Sequence, residues 1–129
     1  MSEKFIIEII SPDRSILKTE TSEVVIPSFE GEMGILKDHI PLITFLRPGL
    51  INIKNSTDQK FFVEEGTVEF SNNNLLILTS KARGLNDFNA ELLEKSIYEA
   101  EKKINNGEVS DKEKYLLSYK IETLKNIKQ

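Results

Sequence analysis

From Asn89 to Gln129 the chain contains no proline and a single glycine, Gly107, whereas the stretch before it is broken repeatedly by proline, glycine and asparagine. Proline removes a backbone donor and clashes with the preceding helical turn, and glycine loses the most conformational freedom on ordering. The first part is therefore confined to short elements, and the second is free to be helical. The change falls near Gly84 and predicts two units, residues 1–84 and residues 85–129.

The first unit reads as strands. Phe5-Ile6-Ile7-Glu8-Ile9-Ile10 is a β-branched run closed by the turn cluster Ser11-Pro12-Asp13, with Ser15 to Glu20 as its hairpin partner. Val24-Val25-Ile26 is expected to end at Pro27, because proline cannot donate to a ladder. Strands are expected next at Gly31 to Leu36, Leu42 to Leu46 and Gly49 to Ile53. The polar turn Asn55-Ser56-Thr57-Asp58 leads to Phe61-Phe62-Val63, then Thr67 to Phe70, and Asn72-Asn73-Asn74 turns the chain into Leu75 to Thr79. Turn signals at this spacing suggest a sandwich or a barrel.

The second unit has helical periodicity. Ala90, Leu93, Ile97, Ala100 and Ile104 recur at the spacing of one helix face. Asn105-Asn106-Gly107 supplies a stop, with Gly107 suited to the left-handed position beyond a helix end. Ser110-Asp111-Lys112-Glu113 fits a capping box for a second helix, whose stripe is Leu117, Ile121 and Leu124. Two helices joined by so short a turn lie antiparallel. Helices of this length are marginal alone in water. The hairpin therefore needs a surface, either its own β domain or a partner, and an appendage with two resting places can act as a switch.

Composition excludes several function classes. A net charge of -4 argues against charge-driven binding to nucleic acid or anionic lipid. The absence of cysteine removes disulfides, cysteine zinc sites and thiol chemistry. No run approaches the roughly 20 apolar residues that span a bilayer. Glu3 and Lys4 lead straight into a strand pattern, so no signal peptide is expected, the default compartment is the cytoplasm, and membrane attachment would come through a partner.

The search for chemistry centres on His39, the single histidine. Asp38, Ser28 and Thr44 supply the residue types of a hydrolytic arrangement, but such arrangements are recognised by geometry. The plainer reading is a turn or interface histidine beside Pro41. One histidine without cysteine does not make a zinc site, so no metal is expected. Gly31-Glu32-Met33-Gly34 is too short for a phosphate loop, and turn geometry accounts for its glycines. Lys114, Lys120, Lys125 and Lys128 against Glu122 make the chain's end locally basic. They are either a solvated face complementing the helix dipole or a docking surface for an acidic partner. An interaction adaptor and a small enzyme around His39 both remain open on these grounds.

One segment is far more specific. Pro27 to Leu36 reads P-x-x-x-G-E-x-G-I-L, His39 to Thr44 reads H-x-P-L-I-T, and Arg47-Pro48-Gly49 follows. This resembles the signature of the ε subunit of F-type ATP synthases, the δ subunit in mitochondrial naming. Phe5 to Pro12, Glu65-Gly66-Thr67-Val68-Glu69 and Ala82-Arg83-Gly84 match further parts of that pattern, so the resemblance covers essentially the whole chain. It implies an α+β fold, a ten-stranded β-sandwich followed by an antiparallel two-helix hairpin. It also implies a non-catalytic subunit of the central stalk, at the cytoplasmic face of the energy-coupling inner membrane. Its partners would be the γ subunit, the c-ring loops and, through the helices, the α and β subunits of the catalytic head.

The resemblance assigns positions as well. Glu32 falls where the family contacts c-ring loops, His39 at the γ and c-ring end of the sandwich, and Arg83 at the junction, where it would hold the hairpin or γ. Lys114, Lys120, Lys125 and Lys128 are the basic residues that would meet the head if the helices extend and restrain ATP hydrolysis. Some family members bind ATP through I/L-D-x-x-R-A. Here Asn89 stands at the Asp position and Leu92 at the Arg position, so no strong ATP binding and no cofactor are expected.

Overall fold

The computed structural model describes residues 3–55 and 57–128. Ten strands come first: β1 (Phe5–Ile10), β2 (Ser15–Thr21), β3 (Glu23–Ser28), β4 (Gly31–Leu36), β5 (Leu42–Leu46), β6 (Gly49–Lys54), β7 (Gln59–Val63), β8 (Gly66–Ser71), β9 (Asn74–Leu78) and β10 (Ala82–Gly84). A single 3₁₀ turn, Leu85–Asp87, leads to helices α1 (Ala90–Asn105) and α2 (Asp111–Lys128). The expected turn before β7 contains Ser56, which lies outside the described residues.

Hydrogen bonding runs in the order β10-β7-β6-β3-β5-β8-β9-β1-β2, with β4 paired to β3. β3 and β5 meet through the single pair Ser28↔Leu46, so the sheet bends there into two layers. Val24, Ile26, Ile35, Ile51, Ile53 and Val63 of one layer pack against Phe5, Ile7, Ile9, Val68, Phe70, Leu75 and Ile77 of the other. The pairings are antiparallel except β1 with β9, which is parallel and closes the second layer. The barrel-like sandwich agrees with the fold class expected from the sequence.

Local expectations fail at three places. β3 does not stop at Pro27 but continues to Ser28. The strand pairs with β6 through Val25 and with β5 at Ser28, and Pro27 lies between, where the neighbour changes. Gly31, at φ +120°, is a turn glycine as expected, but Gly34 lies inside β4 opposite Val25. A Cβ on Gly34 would come within 3.2 Å of the Glu23 carboxylate, so its bareness makes room for a side chain. Ala90, placed on the buried face of the first helix, is exposed, because it is the first helical residue and precedes the part of α1 that reaches the sheet.

The helix signals behave as the sequence predicts. The Asn89 side chain accepts from the Leu92 amide at 2.7 Å and caps α1. Gly107 takes φ +74° beyond its end. The Glu113 amide donates to Ser110 Oγ at 3.1 Å and the Ser110 amide to Glu113 Oε1 at 3.4 Å, completing the capping box. The hairpin lies on the outer face of β6 and β7, where Phe62, Leu93, Ile97 and Leu124 form a second apolar cluster joined by Leu50, Phe88 and Ile127.

Candidate partner-binding surfaces and the hairpin seam

Glu32 is the second residue of β4 and is exposed. It lines a cleft with Arg47, Pro48 and the α2 residues Tyr119, Glu122 and Asn126. His39 lies beyond the opposite end of that strand. At about 3.3 Å per residue, some 13 Å of strand separates Glu32 from Leu36 alone. The structure therefore does not bring Glu32 and His39 together.

His39 is held in the loop between β4 and β5. Its Nδ1 is 2.7 Å from the Ile40 carbonyl oxygen, and its ring stands edge-on to Phe70 with centroids 5.9 Å apart. The adjacent loop is tied to the β8–β9 turn: the Asp38 amide donates to Asn73 Oδ1 at 2.7 Å, and Asn73 Nδ2 donates to Asp38 Oδ1 at 3.0 Å. Both residues take positive φ, Asp38 at 66° and Asn73 at 58°. Asp38 is thus engaged with Asn73. Ser28 is buried at the far end of β3, where its hydroxyl donates to the Gly31 carbonyl at 2.7 Å. The hydrolytic arrangement weighed for His39 is not assembled, and the turn reading is the one the geometry supports.

Beside His39 runs an open apolar strip. Ile40 and Ile43 are each 74% exposed and Phe45 is 58% exposed. Ile43 and Phe45 alternate outward along β5, and the row from Phe45 passes through Thr67 to the exposed Leu78. This is the outer face of the second layer, and α2 approaches it only at the Phe45 end, where Lys112 and Leu116 line a cleft with Phe45 and Thr67. The polar Glu69 and Thr67 lie opposite Ile43 and Phe45, so large apolar side chains stand out on a polar-rimmed face, the kind of surface that marks interaction sites. The strands were legible in the sequence, but which face of β5 lies outward was not.

Arg83 lies on β10 opposite Phe62, in the groove between sheet and hairpin. Its guanidinium is over the Phe88 ring, 5.4 Å from the centroid, and it has no ion pair among the described residues. Its contact at the junction is therefore a cation–π one. Leu92 lines the same groove, together with Lys81, Lys95, Lys120, Glu64 and Glu99.

The lysines of α2 separate into distinct settings. Lys120 reaches across to Glu64 on the β7–β8 turn at 2.9 Å. Lys125 and Lys128 pair with α1, at 3.3 Å to Glu101 and 3.5 Å to Glu94. Lys114 is exposed in the first turns. Sequence reasoning missed a further contact, made by Arg47 from the β5–β6 turn. Its guanidinium is 3.9 Å from the Tyr119 ring centroid, and its Nη1 donates to the Tyr115 hydroxyl at 3.4 Å. The spacing of Tyr115 and Tyr119, four apart on a helix, was the available signal.

A sandwich with one outer face covered by its own helices and large apolar side chains exposed on the other has the build of an interaction module. Comparison with known proteins is specific. The model of the ATP synthase, Delta/Epsilon chain, beta-sandwich domain matches residues 4–84. The ATP synthase epsilon chain of Pelagibacter ubique is 46% identical over 129 residues, covering 98% of this chain and 99% of that one. The mitochondrial ATP synthase subunit delta of Schizosaccharomyces pombe is 38% identical over 102 residues, covering 73% of this chain and 61% of that one. The fold is shared with a chain of the Euglena gracilis mitochondrial ATP synthase, OSCP/F1/c-ring structure, at TM-score 0.76 and 22% identity over 97% of this chain and 79% of that chain. It is also shared with a chain of the Tetrahymena thermophila mitochondrial ATP synthase central stalk/c-ring structure, at TM-score 0.69 and 15% identity over 99% and 98%.

The chain belongs to the ATP synthase delta/epsilon chain family. The resemblance carried by the Pro27-to-Gly49 signature is confirmed. No helix among the described residues is long and apolar enough to cross a membrane.

Proposed function

We propose that this chain is a non-catalytic rotor subunit of the central stalk, with a sandwich (residues 1–84) that joins the γ subunit to the c-ring. The hairpin (residues 85–129) is its regulatory element. The catalytic residues lie in other chains, and attachment to the membrane is peripheral, through the c-ring, on the cytoplasmic face of the inner membrane.

The observation that carries this reading is the exposed apolar strip Ile40, Ile43 and Phe45 beside His39, on a domain with a complete core of its own. We assign it to γ. Glu32 and the neighbouring Glu30, both exposed at the β3–β4 turn, offer carboxylates to c-ring loops. Arg83 holds the hairpin through Phe88. Lys120, Lys125 and Lys128 are paired within this chain while the hairpin is docked. With Lys114 they form the basic set that would meet the α and β subunits once it extends, restraining hydrolysis. Central-stalk and c-ring assemblies among the structural neighbours support the placement.

The test is co-elution with the γ subunit of the same organism on a sizing column. The parent chain forms a one-to-one complex, and Ile43→Asp weakens it at least about 30-fold, as loss of a central apolar anchor does. Its own stability changes little, because Ile43 is exposed. Failure of two folded proteins to associate would sink the stalk reading.

A further inference from the structure

Besides the Lys120–Glu64 ion pair, the hairpin meets the sandwich at two places of different chemistry. One is the apolar cluster of Phe62, Leu93, Ile97 and Leu124. The other lies toward the start of α2 and is built on one cation. Arg47 sits over the Tyr119 ring at 3.9 Å and donates to the Tyr115 hydroxyl at 3.4 Å. Tyr115 and Tyr119 pack edge to face with centroids 4.9 Å apart. Tyr115 also stacks on Phe29 of the β3–β4 turn, at 6.2 Å and an interplanar angle of 9°.

Several features make this contact a fastening rather than general packing. Among the described residues Arg47 forms no ion pair, so its guanidinium is committed to the rings. Arginine suits such a site because its planar cation stacks on aromatic faces and is weakly hydrated. Its position is held from behind. A Cβ on Gly49 would meet Pro27 Cβ at 2.5 Å, so the Arg47-Pro48-Gly49 turn lies tightly against β3. The Arg47 amide donates to the Pro27 carbonyl at 2.9 Å. On the helix side the contact is thinly supported, since Tyr115 is 40% exposed and Leu124, about two and a half turns beyond it, is the only fully buried residue of α2 among those described.

We propose that Arg47 is the catch that keeps the hairpin docked: Phe29, Tyr115 and Tyr119 grip it, and its release frees α2 from the sandwich while the sandwich stays folded. Its consequence in the assembled enzyme rests on the regulatory reading of the hairpin given above. The docking itself does not.

Amide hydrogen exchange on the full chain tests it, comparing the parent with Arg47→Gln and, separately, Tyr119→Leu, which keeps an apolar side chain and removes the cation–π face. The expected result is exchange on the order of tenfold faster across α2 in both variants, the fold-change of a lost cation–π contact. Strand amides of β1 to β9 remain at parent rates. Unchanged α2 exchange overturns the proposal. So does equal acceleration in the strands, which would make Arg47 a general stabiliser of the sandwich. Hydrolysis by the reconstituted ATP synthase then separates the two ideas. If Arg47→Gln frees α2 but neither it nor truncation after Gly84 raises hydrolysis, the catch stands and the regulatory reading falls. If truncation raises hydrolysis while α2 exchange is unchanged, the regulatory reading stands and the catch falls.

Discussion

The core of the sandwich and the seam beneath the hairpin are built by the same rule with different margins. In the core, inward residues of both layers interdigitate, and Ile7, Ile26, Ile51, Val68 and Ile77 have no exposed surface. In the seam, Phe62, Leu93, Ile97 and Leu124 carry the apolar contact, and the rest is one salt bridge and the Arg47 contact. Each fully buried side chain of this size contributes roughly 1.5–3 kcal/mol. With 14 buried residues against 4, the core holds between three and four times the burial of the seam. A partly exposed ion pair such as Lys120 with Glu64 adds about 1 kcal/mol. The difference teaches that one chain can close a full core within its sandwich and seat its hairpin on a much smaller apolar contact.

Substitutions on the two sides of this contrast test it. Ile77→Ala leaves a cavity in the centre of the sandwich and is expected to cost about 2–5 kcal/mol, read by urea unfolding followed on the strands. Leu124→Ala removes the central anchor of the seam at an expected cost of about 2–3 kcal/mol, near the lower end because the helices can settle into the gap. Its effect belongs in hairpin exchange, with strand unfolding unmoved. A Leu124→Ala protein whose strands are destabilised as much as those of Ile77→Ala would break the comparison. Ser110→Ala is the smallest effect, about 1 kcal/mol. It removes the hydroxyl that accepts from the Glu113 amide and should loosen the first turn of α2, seen as faster exchange there alone. Protection unchanged at that turn would mean that the capping box does not limit fraying.

The legible parts of the molecule share a feature. Turn residues at Ser11 to Asp13 and Asn72 to Asn74, the left-handed Gly107 and the Ser110 cap are signals spanning a few residues, and each acts where it stands. β10 was not legible as a strand, because three residues carry no alternation and Ala82 to Gly84 pair only once β7 lies beside them. The passage of β3 through Pro27 depends on β6 and β5 sharing its edge, which no local signal announces. Among the site residues, the signature picked out Glu32 and His39 but not their separation to opposite ends of β4. It included Arg47 without its tyrosines.

By itself the sequence determined the order of elements, the change of texture at Gly84, the helix caps and the family, since periodicity and turn chemistry are local and the signature is a string. Only the tertiary structure decided which face of β5 is bare, that Arg83 lies over Phe88, and that Arg47 is gripped by tyrosines, one of them 68 residues further along the chain. Contacts at such separations arise when two layers and a hairpin compete for the same apolar surface. That competition is resolved by packing over the whole molecule, and no short stretch of residues contains its outcome.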